Sequence, residues 1–193
     1  MSYNFWQGEK VRLRAIEQKD LDDLLTSTEL QDTELDRYEN VIGFPTSRLQ
    51  DREARENLIK KDKSNDNFFW MIEDLLGTLV GFIGTFDCER RHGTLKYGVV
   101  IKREFWRKGF AKEALTILLR YYFRELRYQK IVAIVYVFNQ ASVKFHENFG
   151  FVLEGKLRRM VYTNGTFYDE LYFGMTSEEF DQCDKKLELP SMV

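Results

Sequence analysis

The chain has 193 residues, a length suited to one domain with a sizeable core, and its 44% apolar residues and only two prolines exclude long disordered or linker segments. A net charge of −2 leaves no electrostatic case for binding nucleic acid. Cys88 and Cys183 form neither a disulfide framework nor a metal-ligand spacing, no apolar run is long enough for a membrane span, and the first ten residues lack the apolar core of a signal peptide, so a cytoplasmic protein without a resident metal is expected.

In chain order, Val11 and Leu13 alternate with Arg12 and Arg14, which predicts an opening strand with one wet face. A helix is expected after Asp20, with Leu21, Leu24 and Leu25 on one side. Residues 29–40 read as polar and irregular. Within them Glu29, Asp32, Glu34, Asp36 and Glu39 form an acidic cluster relieved only by Arg37, either a solvated surface or an attractor for a cationic partner. Pro45, Thr46 and Ser47 introduce a charged helix near 48–61, and residues 64–67 close it as a loop. Two strands follow over 68–73 and 79–86, joined by a turn. A third covers 92–101, where Gly98 suggests a bulge or a close backbone approach.

After Gly109, the spacing of Ala111, Ala114, Leu115, Leu118 and Tyr122 predicts a helix with one buried face. The β-branched run 131–137 has the character of a buried strand, and residues 139–149 form a short helix ended by Gly150. Residues 152–163 and 167–176 flank Asn164-Gly165, the strongest short hairpin signal, and a charged helical tail begins at Ser177. No repeat or linker interrupts this order, so residues 1–193 are read as one domain.

The most informative stretch is 98–112, Gly-Val-Val-Ile-Lys-Arg-Glu-Phe-Trp-Arg-Lys-Gly-Phe-Ala-Lys. A helix start already carries a partial positive charge and unpaired N–H groups, and Arg107, Lys108 and Lys112 crowd that same end. Such an arrangement makes sense if something strongly anionic binds there, and Gly109 and Ala111 let the backbone approach it. Together with the strand at 131–137 and the Asn139-led helix ending in Gly150-Phe151, this order resembles the GNAT superfamily of acyl-CoA-dependent N-acetyltransferases. Within it, the chain is similar to the RimJ/RimL-type branch, which acetylates ribosomal-protein N-termini, and to the related polyamine acetyltransferases.

The resemblance implies an α/β (α+β) fold: a mixed, mostly antiparallel sheet of about seven strands flanked by helices, with a splayed strand pair holding acetyl-CoA. It implies that the backbone of Arg107, Lys108, Gly109, Phe110, Ala111 and Lys112 takes the pyrophosphate, with Trp106 and Asn139 beside the cofactor. Arg107, Lys108 or Lys112 would reach the other phosphates. The strand Val99, Val100 and Ile101 would pair with the pantetheine amides, and a backbone N–H near Val99 or Val100 would stabilise the oxyanion. Trp106 stands where the superfamily usually has Gln or Arg.

Catalytic candidates are fewer. Many relatives carry a proton-donating tyrosine seven residues after the leading Asn, and here that position is His146. An imidazole of ordinary pKa, about 6.5, is mostly neutral at neutral pH, so His146 either protonates the departing thiolate or packs on the inner face of its helix. Ser142 either caps the helix start or supplies that proton, as in ribosomal-protein acetylating relatives. Val161 occupies the position of a basic glutamate in those relatives, which leaves Asp87, Glu89, Glu170 or a water as general base. Cys88, between Asp87 and Glu89, reads as a surface-turn cysteine with a raised pKa rather than a nucleophile.

The sequence therefore points to an N-acetyltransferase moving acetyl from acetyl-CoA directly to a primary amine. A protein N-terminal α-amine is the preferred acceptor and a polyamine or other small amine the second. A reading of another class, a non-catalytic acyl-CoA-binding regulatory module, stays open at this point, as does a homodimer.

Overall fold

The structure, a computed structural model, describes residues 4–20, 33–39 and 65–184, and between them 42, 44, 45, 47, 49, 50, 52, 53, 56 and 57. Seven strands form one sheet: β1 (Val11–Ala15), β2 (Phe69–Asp74), β3 (Leu79–Glu89), β4 (Thr94–Ile101), β5 (Lys130–Tyr136), β6 (Val152–Thr163) and β7 (Thr166–Thr176). Their order across the sheet is β1-β2-β3-β4-β5-β7-β6, antiparallel throughout except for the parallel pair β4–β5. The described helices are α1 (Thr33–Glu39), α2 (Phe110–Arg120), α3 (Gln140–Phe149) and α4 (Ser177–Asp184). None of the described helices is long and apolar enough to cross a membrane.

The parallel pair determines where a ligand can enter. β4 and β5 are joined only over Thr94–Lys96 and Lys130–Val132. Beyond that, β4 stays with β3 through Ile101 and β5 stays with β7 through Tyr136, so each follows its outer neighbour and the two diverge. The expected bulge at Gly98 is absent. Gly98 pairs in register with Gly84, and the irregularity in this ladder falls between Phe86 and Glu89. Divergence needs no bulge because the twist of each half-sheet separates strands that share only three pairs. The close backbone approach also lies elsewhere: a Cβ on Gly81 would sit 2.1 Å from the Val100 carbonyl oxygen.

The core lies between the sheet and α2. Val11, Leu13, Ile72, Ile83, Leu95, Ile131, Ala133 and Phe173 bury their side chains with Leu115 and Leu118 of the helix. Six successive residues of α2, Ala114 to Leu119, are buried, more than the single face expected, and Ala111 is only partly buried. The helix then widens into a π turn over Tyr121–Glu125. In β1, Arg12 reaches water as expected, but Arg14 turns inward and pairs with Asp20 at 2.7 Å and Glu73 at 3.2 Å.

Two local readings are corrected. Residues 33–39 form α1 rather than irregular chain, its first turn carrying Glu34 and its last Arg37, with the Tyr38 hydroxyl donating to Glu34 at 3.0 Å. Cys88 lies half-buried in β3 rather than on a surface turn, and its Sγ–H donates to the Asp66 carbonyl at 3.3 Å. Its thiol is pushed up mainly by burial. The hairpin at Asn164-Gly165 forms as expected, both residues at positive φ. The helix expected after Asp20, with Leu21, Leu24 and Leu25, lies outside the described residues, as do Glu29 and Asp32. Of the one near 48–61, residues 49, 50, 52, 53, 56 and 57 are described, all helical.

Candidate active site

The open edge of β4 offers a definite set of backbone groups. Lys102 N–H donates to the Val80 carbonyl at 2.9 Å. Alternation along the ladder then turns the N–H and C=O groups of Gly98 and Val100 toward β3, and those of Val99 and Ile101 toward the gap. Val99 therefore presents an N–H to the gap, whereas Val100 is committed to its pairing with Phe82. The Ile101 carbonyl accepts from the indole Nε1–H of Trp106 at 2.6 Å. Trp106 thus ties the following loop back to the strand, with the Arg103 guanidinium 5.1 Å from its ring centre.

That loop passes through a 3₁₀ turn, Arg103–Phe105, and then places Arg107 and Gly109 in the left-handed region, φ 62° and 86°. Gly109 caps α2 without a side chain, so the first-turn N–H groups of Phe110, Ala111 and Lys112 stay open to an anion. Arg107, Lys108 and Lys112 are exposed around them, Lys108 with its ammonium 4.8 Å from the Phe105 ring centre. A fourth cation arrives from outside the motif. Lys10 Nζ donates to the Lys108 carbonyl at 3.2 Å and lies 3.1 Å from where a Gly109 Cβ would be. Glu113 holds it there, its carboxylate accepting from the N–H groups of Glu9, Lys10 and Val11 at 2.7–2.8 Å. Glu113→Ala would leave three backbone donors without that partner. It should lower stability by about 2 kcal/mol in urea unfolding and weaken acetyl-CoA binding by loosening Lys10.

Across the gap, the Asn139 side chain caps α3 by accepting from Ser142 N–H at 3.1 Å, and Gly150 ends the helix at φ 111°. Ser142 is thus capped rather than capping. His146, one turn on, is buried between β4 and β7. Its ring stacks on Phe173 with centroids 5.5 Å apart. Its Nδ1 lies 2.7 Å from the Ser142 carbonyl and therefore carries the proton, so Nε2 accepts from the Tyr97 hydroxyl, also at 2.7 Å. Burial lowers the imidazole pKa to about 4, against a partial rise from the Ser142 bond. Burial also pushes the Tyr97 phenol well above its ordinary value. A neutral imidazole with both nitrogens engaged has no proton ready for a thiolate. These are the contacts of the packing alternative for His146.

A cleft of about 1060 Å³ runs between these two walls. It brings together Val99, Val100, Ile101, Trp106, Asn139, Ser142 and His146, while residues 107–112 line no part of the cleft itself and follow Trp106 at the start of α2. Its remaining wall is aromatic and contains Tyr38, Phe68, Phe82, Tyr136 and Phe138. Of the three carboxylates weighed as base, only Glu170 lines it. Asp87 pairs with Lys96 at 2.9 Å, and Glu89 accepts from Arg91 N–H at 3.1 Å. Val161 is buried in β6 away from the cleft. Glu34 is tied to Arg103 at 3.3 Å, which joins α1 to the loop before Trp106. Tyr97, Lys10 and Glu113 were missed from sequence. Only Tyr97 had a signal there, its place two residues before Val99 on the same strand edge.

A divergent parallel pair, a free strand edge and an open helix start define an acyl-CoA transferase site. Comparison with known proteins agrees. The acetyltransferase (GNAT) domain family matches residues 10–152, and the chain belongs to that family. It is 39% identical to the prophage-derived, uncharacterized N-acetyltransferase YokL of Bacillus subtilis, over 94% of this chain and 98% of that one. It is 27% identical to the spermidine N(1)-acetyltransferase of Vibrio cholerae, over 84% of this chain and 90% of that one. A crystal structure of spermidine N-acetyltransferase from Vibrio cholerae in complex with CoA and spermine superposes with a TM-score of 0.77 at 25% identity, covering 90% of this chain and 99% of that one. The protein is an N-acetyltransferase that uses acetyl-CoA. The open N–H groups of α2 suit its pyrophosphate, and the exposed lysines and arginine suit its other phosphates. When bound, it supplies the activated acetyl thioester.

Proposed function

We propose that the protein acetylates a small primary amine directly from acetyl-CoA in a ternary complex. The observation that carries this reading is the cleft itself. One wall is the free edge of β4, and the other is an aromatic surface holding a single carboxylate among the described residues. The similarity to a spermidine acetyltransferase supports a small amine, where the sequence reading preferred a protein N-terminus.

In this reading the Val99 N–H receives the oxygen that becomes negative as the amine attacks. A donor already aimed at that point needs no reorganisation during the reaction. Ser142 is the other of the two sequence candidates for passing a proton to the thiolate. Its hydroxyl is not spent on capping and lies at 3.4 Å from His146 Nδ1, too far for a strong bond. Asn139 and the start of α2 hold the cofactor.

Thiol release from acetyl-CoA, measured with benzylamine, spermidine and a panel of short peptides bearing free N-termini, tests the proposal. Release with one of the small amines at more than about tenfold the best peptide's kcat/KM is expected. The opposite ranking would restore the N-terminal acceptor, and Ser142→Ala should lower turnover by about 10²-fold with the best acceptor.

A further inference from the structure

We infer that Glu170 receives the acceptor's ammonium group and takes its proton, the role for which the sequence left Asp87, Glu89, Glu170 or a water. The inference rests on the amine-acetylating reading above. β7 pairs Glu170 with Tyr136 of β5 and Tyr172 with Ile134, and alternation puts all four on one face of the sheet. Glu170 and Tyr136 line the cleft there. Glu170 is half-buried and is the one carboxylate of the cleft among the described residues.

Within the cleft this carboxylate has no cationic partner among those residues. Its neighbour Asp169 pairs with Lys156 at 3.0 Å, Glu154 with Lys130 at 2.6 Å and Asp87 with Lys96 at 2.9 Å. Glu170 has only the Tyr172 hydroxyl, donating at 3.3 Å. Beside it stands a ring cluster. Phe138 lies 5.5 Å from Tyr136, 4.9 Å from Tyr168 and 6.3 Å from Tyr38, centre to centre. A carboxylate without a counter-ion, set among aromatic faces that attract cations, is built for an alkylammonium group. The apolar walls strengthen that attraction by lowering the local dielectric.

The protons balance. One N–H proton of the ammonium passes to the Glu170 carboxylate, directly or through one water, which frees the nitrogen lone pair. The nitrogen bonds to the thioester carbonyl carbon, and the C–S bond breaks with its electron pair leaving on sulfur. The nitrogen's second surplus proton goes to the thiolate, and Glu170 returns its own to water. One ammonium and one thioester thus yield one amide, one thiol and one released proton.

The test uses Glu170→Gln in the full chain with acetyl-CoA and two probe amines: benzylamine, a cation at neutral pH, and aniline, which is neutral there. The substitution should lower kcat/KM for benzylamine by about 10²-fold and leave aniline within about threefold of wild type, since aniline brings no proton to remove. Equal losses for both amines, or no loss for either, would overturn the assignment. Calorimetry of benzylamine binding to the CoA-saturated protein reads the same residue without turnover. It should weaken at least about tenfold in the variant, and equal affinity, or no binding by wild type, also overturns it. If wild type binds benzylamine yet releases no thiol, the acetyl-transfer reading fails while the ammonium site stands or falls on the binding result.

Discussion

Gly109→Asp should abolish acetyl-CoA binding in a protein that still folds. Gly109 occupies the left-handed region at φ 86°, where aspartate is among the better tolerated side chains, and aspartate is also a favoured helix N-cap. Its carboxylate would bond to the first-turn N–H groups of α2 and meet Lys10 Nζ, which lies 3.1 Å from the new Cβ. The variant would fill the anion site from within and repel the pyrophosphate by charge. Calorimetry should show a Kd raised by about 10²-fold or more, equivalent to about 2.7 kcal/mol. The rise in melting temperature that acetyl-CoA gives wild type should vanish. Gly109→Ala carries the backbone strain without the charge and should retain most of the affinity. Unchanged affinity in a folded Gly109→Asp protein would remove this loop from the cofactor site.

Stability should fall by about 3 kcal/mol as pH drops from 6.5 toward 4, through His146 alone. The folded imidazole has a pKa of about 4 and the unfolded one an ordinary value of 6.5. Between those values the unfolded chain binds a proton that the native state refuses, so stability rises with pH across this window and is fully present above it. Asp66, which Arg90 holds below the usual carboxylate range, adds its own loss at lower pH still. The difference between wild type and His146→Phe isolates the histidine. Urea unfolding at pH 7, 6, 5 and 4.5 should show a steeper decline in wild type. At pH 7 the variant should be weaker by about 1–3 kcal/mol, because the Tyr97 hydroxyl is left buried without its acceptor. Single-turnover rates should show no ionisation that disappears in the phenylalanine variant. A wild-type rate profile that loses an acidic limb on that substitution would return His146 to the role of acid.

The strands and turns of this protein are legible because their signals are local. Asn164-Gly165 marks its hairpin by backbone preference, β-branched residues mark β5, and the cations and glycine of 107–112 mark an anion site where a strand meets a helix. Those patterns carried most of the sheet-and-helix order and, through the family they resemble, the class of enzyme. The α1 helix was not legible, since a seven-residue polar segment has no apolar period and is held by contacts such as Glu34 to Arg103.

Tertiary structure decided whatever depends on which neighbour a group meets. Val99 and Val100 are equivalent as a sequence, and only the register of β4 on β3 commits one N–H and leaves the other facing the gap. For His146 the sequence left both an acid and a packed ring open. Its neutrality comes from burial among rings of distant strands, and its Nε2 meets the Tyr97 hydroxyl, 49 residues away. Glu170, Asp87 and Glu89 are three carboxylates of similar local character, and the chain's return through β7 brings only the first into the cleft. Lys10 reaches the loop before α2 because Glu113 gathers a strand start 102 to 104 residues distant. Local preference writes the elements, whereas protonation, access and pairing are set by distant partners that become neighbours only when the chain has folded.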